Sequence, residues 1–191
     1  MRARLCAMSE ARLHTFLFVD LVGFTALAAS EGDERAADVA LELAWRVERL
    51  TGRHGGEVVK RLGDGLMLRC ADPGQAVRLA LRIAAEQQER APVRVGVHTG
   101  PAVERAGDWY GTTVNVAARL CAAAGEGEVL VSEATRERAG RLGRVHVGER
   151  RLHWLKNLIE PVGAHRVRAG FCQPRPHRLA GSFQPLEEQP S

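Results

Sequence analysis

The stretch that most limits how this chain can fold is Phe16-Leu17-Phe18-Val19-Asp20-Leu21-Val22-Gly23-Phe24-Thr25. The run from Thr15 to Val19 is β-branched and aromatic, which predicts a buried strand. Gly23 and Thr25 then open a helical stretch, Ala26-Leu27-Ala28-Ala29. Asp20 therefore stands at the carboxyl end of a strand, just before a helix N-terminus. Free backbone N–H groups and the positive end of the helix dipole favour phosphate at such a place. Leu21, Val22, Gly23, Phe24 and Thr25 thus form a candidate phosphate-binding loop. A carboxylate does not bind phosphate itself, but it can hold a metal ion that does. The same aspartate also suits a plain turn or an N-cap.

Periodicity orders the rest. A helix is expected over about 34–51, with Ala36, Ala40, Leu43, Val47 and Leu50 on one stripe and Asp33 able to cap it. Glu57 to Leu62 and Leu66 to Cys70 read as strands joined by the hairpin signal Gly63-Asp64-Gly65. Asp72-Pro73 starts a helix that runs to about Arg90. Val93 to Thr99 is a fourth strand, and Pro101 to Gly107 a short polar connection. A helix follows over about 112–124. Then come a strand at Glu128 to Ser132, a short helix at Glu133 to Gly140, and closing strands near 144–147, 151–155 and 163–167. The order β-αα-β-β-α-β predicts an α+β fold with a ferredoxin-like (βαββαβ) core and added C-terminal strands. Residues 13–169 form one domain on this reading, with tails at 1–12 and 170–191, the latter disordered for want of periodicity.

That topology carries a chemical consequence. Strands one and two run parallel across a right-handed crossover, so Asp20 and Asp64 come together at one sheet edge although 44 positions separate them. Two such carboxylates repel unless a cation lies between them. Asn115 and Arg119 share a helix face one turn apart, as a surface pair or as a cradle for a phosphate or ribose. Of 27 basic residues only Lys60 and Lys156 are lysines, so a lysine inside a motif calls for a specific explanation. The net charge of +4 is spread without aromatic clustering, which speaks against nucleic acid as a partner. No run of 18 apolar residues exists for a membrane helix. Cys6, Cys70, Cys121 and Cys172 lack zinc spacing, and Met1 to Glu10 lacks a signal-peptide core; a cytoplasmic protein with reduced thiols is expected.

Four segments now stand in order: 18–25, Lys60-Arg61-Leu62-Gly63-Asp64-Gly65, Arg94 to Gly100, and Asp108-Trp109-Tyr110-Gly111 leading to Thr113 through Arg119. Together they resemble the catalytic domain of class III nucleotidyl cyclases, over roughly Leu13 to Arg168. The resemblance implies a head-to-tail homodimer with two equivalent interfacial sites. Asp20, Leu21 and Asp64 of one subunit would hold two divalent cations, Mg²⁺ or Mn²⁺. Lys60 and Asp108 of the other would read the base, while Asn115 and Arg119 of that same subunit would position the ribose and stabilise the transition state. The connection from Pro101 to Gly107 is shorter than the arm that many members use in dimer contacts.

The base readers can be argued from donors and acceptors. Adenine donates from N6 and accepts at N1, matching Asp108 and Lys60; guanine reverses both. Mismatching buried polar groups costs roughly 1–3 kcal/mol each. ATP is therefore the expected substrate, with a guanylyl cyclase or a non-catalytic nucleotide-binding or dimerisation module as the alternatives. A diguanylate cyclase would carry a Gly-Gly-Asp/Glu-Glu-Phe hairpin, which Arg61 to Leu66 does not match.

Overall fold

Apolar residues at alternate positions of the first strand serve two different cores. The structure, a computed structural model, describes residues 12–88 and 90–170. Strand β1 (Leu13–Leu21) is followed by helices α1 (Phe24–Glu31) and α2 (Asp33–Arg53). Strands β2 (Gly56–Leu62) and β3 (Gly65–Cys70) form a hairpin, then come α3 (Pro73–Gln87) and β4 (Val93–Pro101). A small hairpin, β5 (Val103–Arg105) and β6 (Asp108–Tyr110), leads to α4 (Thr112–Ala123). The chain closes with β7 (Val129–Ser132), α5 (Glu133–Arg138), β8 (Val145–His153) and β9 (Val162–Ala169).

The main sheet has the order β2-β3-β1-β4-β7-β9-β8. Only β4 and β7 pair in parallel; the other neighbours are antiparallel. Its first four strands have the ferredoxin-like arrangement expected from the element order. Leu17, Val19 and Leu21 of β1, with Val93, Val95 and Val97 of β4, pack against α2 and α3 in the larger core. Phe16, with Met67, Trp109, Val114 and Ala117, fills a second core under α4. At the far end Leu130 and Ala164 meet Val116, Leu120 and Leu155. No helix among the described residues is long and apolar enough to cross a membrane.

Several local expectations are corrected. Asp33 is the first residue of α2; Gly32 takes the cap position, with no side-chain cap bond. The α2 helix runs through Gly52 to Arg53, because Leu50 and Thr51 are still buried against the core. The α3 helix ends at Gln87 rather than near Arg90. The polar connection after Pro101 is the β5–β6 hairpin, whose Trp109 is drawn into the α4 core. The two strands expected at 144–147 and 151–155 are one strand, β8, bent by an irregularity between Val147 and Arg150. The expected tails, apart from Arg12 and Gly170, lie outside the described residues, as do Cys6 and Cys172.

Candidate active site

Alternation along β1 turns Asp20 to the α4 side, because Val19 and Leu21 are committed to the other core. Asp20 pairs with Gly65 on one neighbour and with Arg94 on the other. The β2–β3 turn brings Asp64 alongside: its carbonyl accepts a 3.3 Å hydrogen bond from the Leu21 N–H. Burial and the negative charge of Asp20 push the Asp64 carboxyl above its ordinary range. A Cβ at Gly65 would lie 2.8 Å from the Val19 carbonyl oxygen and 3.1 Å from Asp20 Oδ1. Glycine there leaves Asp20 its room.

Arg94 is the residue that the separate strands did not bring into the site. Its Nη2 and Nε donate to Asp20 Oδ2 at 2.6 and 2.8 Å, and its Nη1 reaches the Ala122 carbonyl at 3.4 Å. The available signal was register: an antiparallel β1–β4 pair sets these two residues directly opposite each other.

Asp20 and Asp64 are hard oxygen donors, and no group of three or more His, Cys, Asp or Glu side chains with metal-holding geometry occurs among the described residues. Two carboxylates suit Mg²⁺ or Mn²⁺, which commonly take one or two from protein and complete their shells with water and substrate phosphate. The adjoining loop has fewer free donors than its sequence offers. The N–H of Leu21 is bonded to Asp64, and that of Val22 to the Pro92 carbonyl at 2.9 Å. Gly23, Phe24 and Thr25 remain at the start of α1, where Gly23 is left-handed (φ 77°) and no side chain caps the helix.

Lys60 and Asp108 form the second pair. Lys60 Nζ donates to Asp108 Oδ2 at 2.6 Å, and the Trp109 N–H donates to Asp108 Oδ1 at 2.8 Å. These two bonds hold the Asp108 carboxyl below the usual carboxylate range. A β-bulge makes the contact possible. Val58 pairs with Leu68 of the larger core, but Lys60 pairs with Met67 of the α4 core, a register shift of one. Strict alternation would have put Lys60 on the face of Val58. Asp108 is fixed in turn by Trp109, which packs on His14 and Phe16 at centroid distances of 4.3 and 5.6 Å. Arg69 lies 5.0 Å from the centre of the Trp109 ring.

Asn115 and Arg119 lie on α4 away from the buried row Val114, Ala117 and Cys121; Asn115 is exposed and Arg119 half-buried. A cavity of about 170 Å³ between α4 and the β2–β3 turn is lined by Phe18, Asp20, Leu62, Gly65, Ala118 and Ala122. The structure thus joins Asp20 with Asp64, and Lys60 with Asp108, and sets Asn115 and Arg119 on the helix that covers their face of the sheet.

The sequence profile of the adenylate and guanylate cyclase catalytic domain matches residues 7–168. The chain is 36% identical over 169 residues to the pH-sensitive adenylate cyclase MT1302 of Mycobacterium tuberculosis, covering 84% of this chain and 42% of that protein. It is 36% identical over 123 residues to an adenylate cyclase of Streptomyces coelicolor, covering 63% and 32%. It therefore spans less than half the length of these relatives. Among solved structures, the guanylate cyclase domain of RhGC from Catenaria anguillulae, in complex with GTP, superposes with a TM-score of 0.74 at 21% identity. That match covers 84% of this chain and 98% of that one. The adenylyl cyclase CyaB from P. aeruginosa gives 0.71 at 22% identity, covering 83% and 95%. At these identities the two structures speak for the fold alone.

Proposed function

This chain belongs to the family of adenylate and guanylate cyclase catalytic domains, and we propose that it converts ATP into 3′,5′-cyclic AMP and pyrophosphate at a site shared by two copies. The observation that carries the choice of ATP is the Lys60–Asp108 pair. Two residues 48 positions apart offer one cationic donor and one anionic acceptor side by side. Adenine presents the complementary acceptor at N1 and donor at N6; guanine presents the reverse. Both polar groups satisfy each other, so the base must replace a bond already made, and only a matching edge does so without loss.

The reaction is attack of the ribose 3′-oxygen on the α-phosphorus, with pyrophosphate leaving. Divalent cations held by Asp20, Leu21 and Asp64 would supply acidification of the 3′-hydroxyl and charge compensation at the phosphate oxygens. Asn115 holds the ribose by an amide hydrogen bond, a positioning role. Arg119 offers a planar fork of donors to the charge that grows on the α-phosphate. Gly23, Phe24 and Thr25 present backbone N–H groups at the start of α1 to the phosphate chain. Lys60, Asp108, Asn115 and Arg119 of one copy serve Asp20 and Asp64 of the other. Val103 and Tyr110 of the β5–β6 hairpin, and Trp154 and Ile159 after β8, are exposed apolar side chains that a second copy would cover.

The test is cyclic nucleotide formation by the purified chain with Mn²⁺, ATP and GTP in parallel, at several protein concentrations. Cyclic AMP is expected, with a specific rate that rises with protein concentration as dimers form. No product from either nucleotide at concentrations where dimers are demonstrated overturns the assignment in favour of a nucleotide-binding module; preferential cyclic GMP overturns the base-reading argument alone.

A further inference from the structure

We infer that Arg94 is a tethered cation that competes with divalent metal for Asp20 and so holds down the affinity of the carboxylate pair for free metal. This rests on the reading of Asp20 and Asp64 as metal ligands. The geometry divides the Asp20 carboxylate in two. Both Arg94 bonds, at 2.6 and 2.8 Å, fall on Oδ2. Oδ1 is turned to Gly65, next to Asp64 in the β2–β3 turn. A cation arriving between the carboxylates therefore meets one oxygen of Asp20, while a fixed positive charge sits on the other.

Arg94 is held beside Asp20 by its strand register and by a second anchor. It lies directly opposite Asp20 in the β1–β4 register, its side chain is 34% exposed, and a third bond reaches the Ala122 carbonyl near the end of α4. Its guanidinium places a planar positive charge on Asp20. The two carboxylates and the guanidinium carry one net negative charge instead of two. Metal arriving alone is bound against Arg94; metal arriving with a triphosphate brings its own compensating anion. Metal and nucleotide binding are thereby coupled.

The test is Mn²⁺ binding to the whole chain without nucleotide, read from the electron paramagnetic resonance signal of free Mn²⁺. Arg94→Gln and Arg94→Met are expected to bind Mn²⁺ on the order of tenfold more tightly than the unaltered chain, the scale of one nearby charge in a solvated site. Arg94→Lys keeps the charge and should stay within about threefold of the unaltered chain. Adding Asp20→Asn to Arg94→Gln should abolish the gain. If the neutral variants bind no more tightly while Asp20→Asn still weakens binding, the inference about Arg94 falls and the metal-site reading stands. If Asp20→Asn changes binding in neither background, the metal-site reading falls and takes the inference with it. Should the neutral variants not fold, the unaltered protein decides by Mg²⁺ titration of its Arg94 Nε–H resonance. A shift of that signal is expected, and its constancy while the Asp20 signals move overturns the competition.

Discussion

Lys60 and Asp108 form one charge pair on which the proposed choice of base rests. Lys60 and the Trp109 N–H keep the Asp108 carboxyl ionised through neutral pH, so the pair presents a fixed donor and a fixed acceptor. Changing Lys60→Glu together with Asp108→Cys removes both of the proposed matches to adenine. The ratio of kcat/KM for ATP over GTP is expected to fall by about tenfold or more, the equivalent of losing one to two buried hydrogen-bond matches. Steady-state kinetics with both nucleotides measures it, and an unchanged ratio means that the base is read elsewhere. The identities of these two residues are plain in the sequence, and so is the rarity of lysine. That they touch is not, because the bulge between Val58 and Lys60 leaves no mark in the alternation of Val58, Val59 and Lys60.

At the scale of elements, α4 owes its position to Gly96 of β4. A Cβ at Gly96 would stand 2.1 Å from the Cys121 nitrogen and 2.5 Å from the Ala117 carbonyl oxygen, both backbone atoms of α4. A helix cannot yield there without lifting off the sheet. Gly96→Ala is expected to lower stability by about 3 kcal/mol or more, read from the urea unfolding midpoint. A second element-level effect sits one residue pair along. His98 bonds Ser132 at 2.7 Å, in a polar chain that continues through Thr135 and Thr99 to Thr15. Burial, then the charge of Arg138, push the His98 imidazole down to about 4. Unfolded, it titrates near 6.5. Above that pH neither form carries the proton and stability is unaffected. As the pH falls from about 6.5 towards 4, the unfolded chain takes up a proton that the folded chain refuses, and stability falls by at most about 1.4 kcal/mol per pH unit. Urea midpoints of the unaltered protein should drop more between pH 7 and 5 than those of His98→Gln. Equal slopes would show that His98 titrates normally in the fold.

For the whole molecule, the proposed division of labour between two copies has a quantitative signature. Asp20→Ala and Asn115→Ala homodimers are each expected to be inactive. In an equal mixture half of the dimers are mixed, and each mixed dimer holds one intact site of two, so about one quarter of the unaltered activity should return. Activity assays on the remixed variants, with heterodimers quantified by differential tags, check this. No recovery despite abundant heterodimer would place the whole site within one chain.

Strand and helix periods, and the turn residues at Gly63-Asp64-Gly65 and Asp72-Pro73, determined the order of the ferredoxin-like core elements by local sterics and burial. The split βαβ order then determined that Asp20 and Asp64 would meet, because handed connections leave few ways to lay parallel strands. Three things came only from the tertiary structure. The β2 bulge decided which face Lys60 takes, because one extra residue costs little locally and inverts every side chain beyond it. The register of β1 on β4 decided that Arg94 clasps Asp20. The packing of Trp109 decided that a polar-looking connection becomes a hairpin carrying Asp108. Each is a contact between segments far apart in the chain, fixed by the shape of the assembled sheet and helix rather than by any residue's own preference.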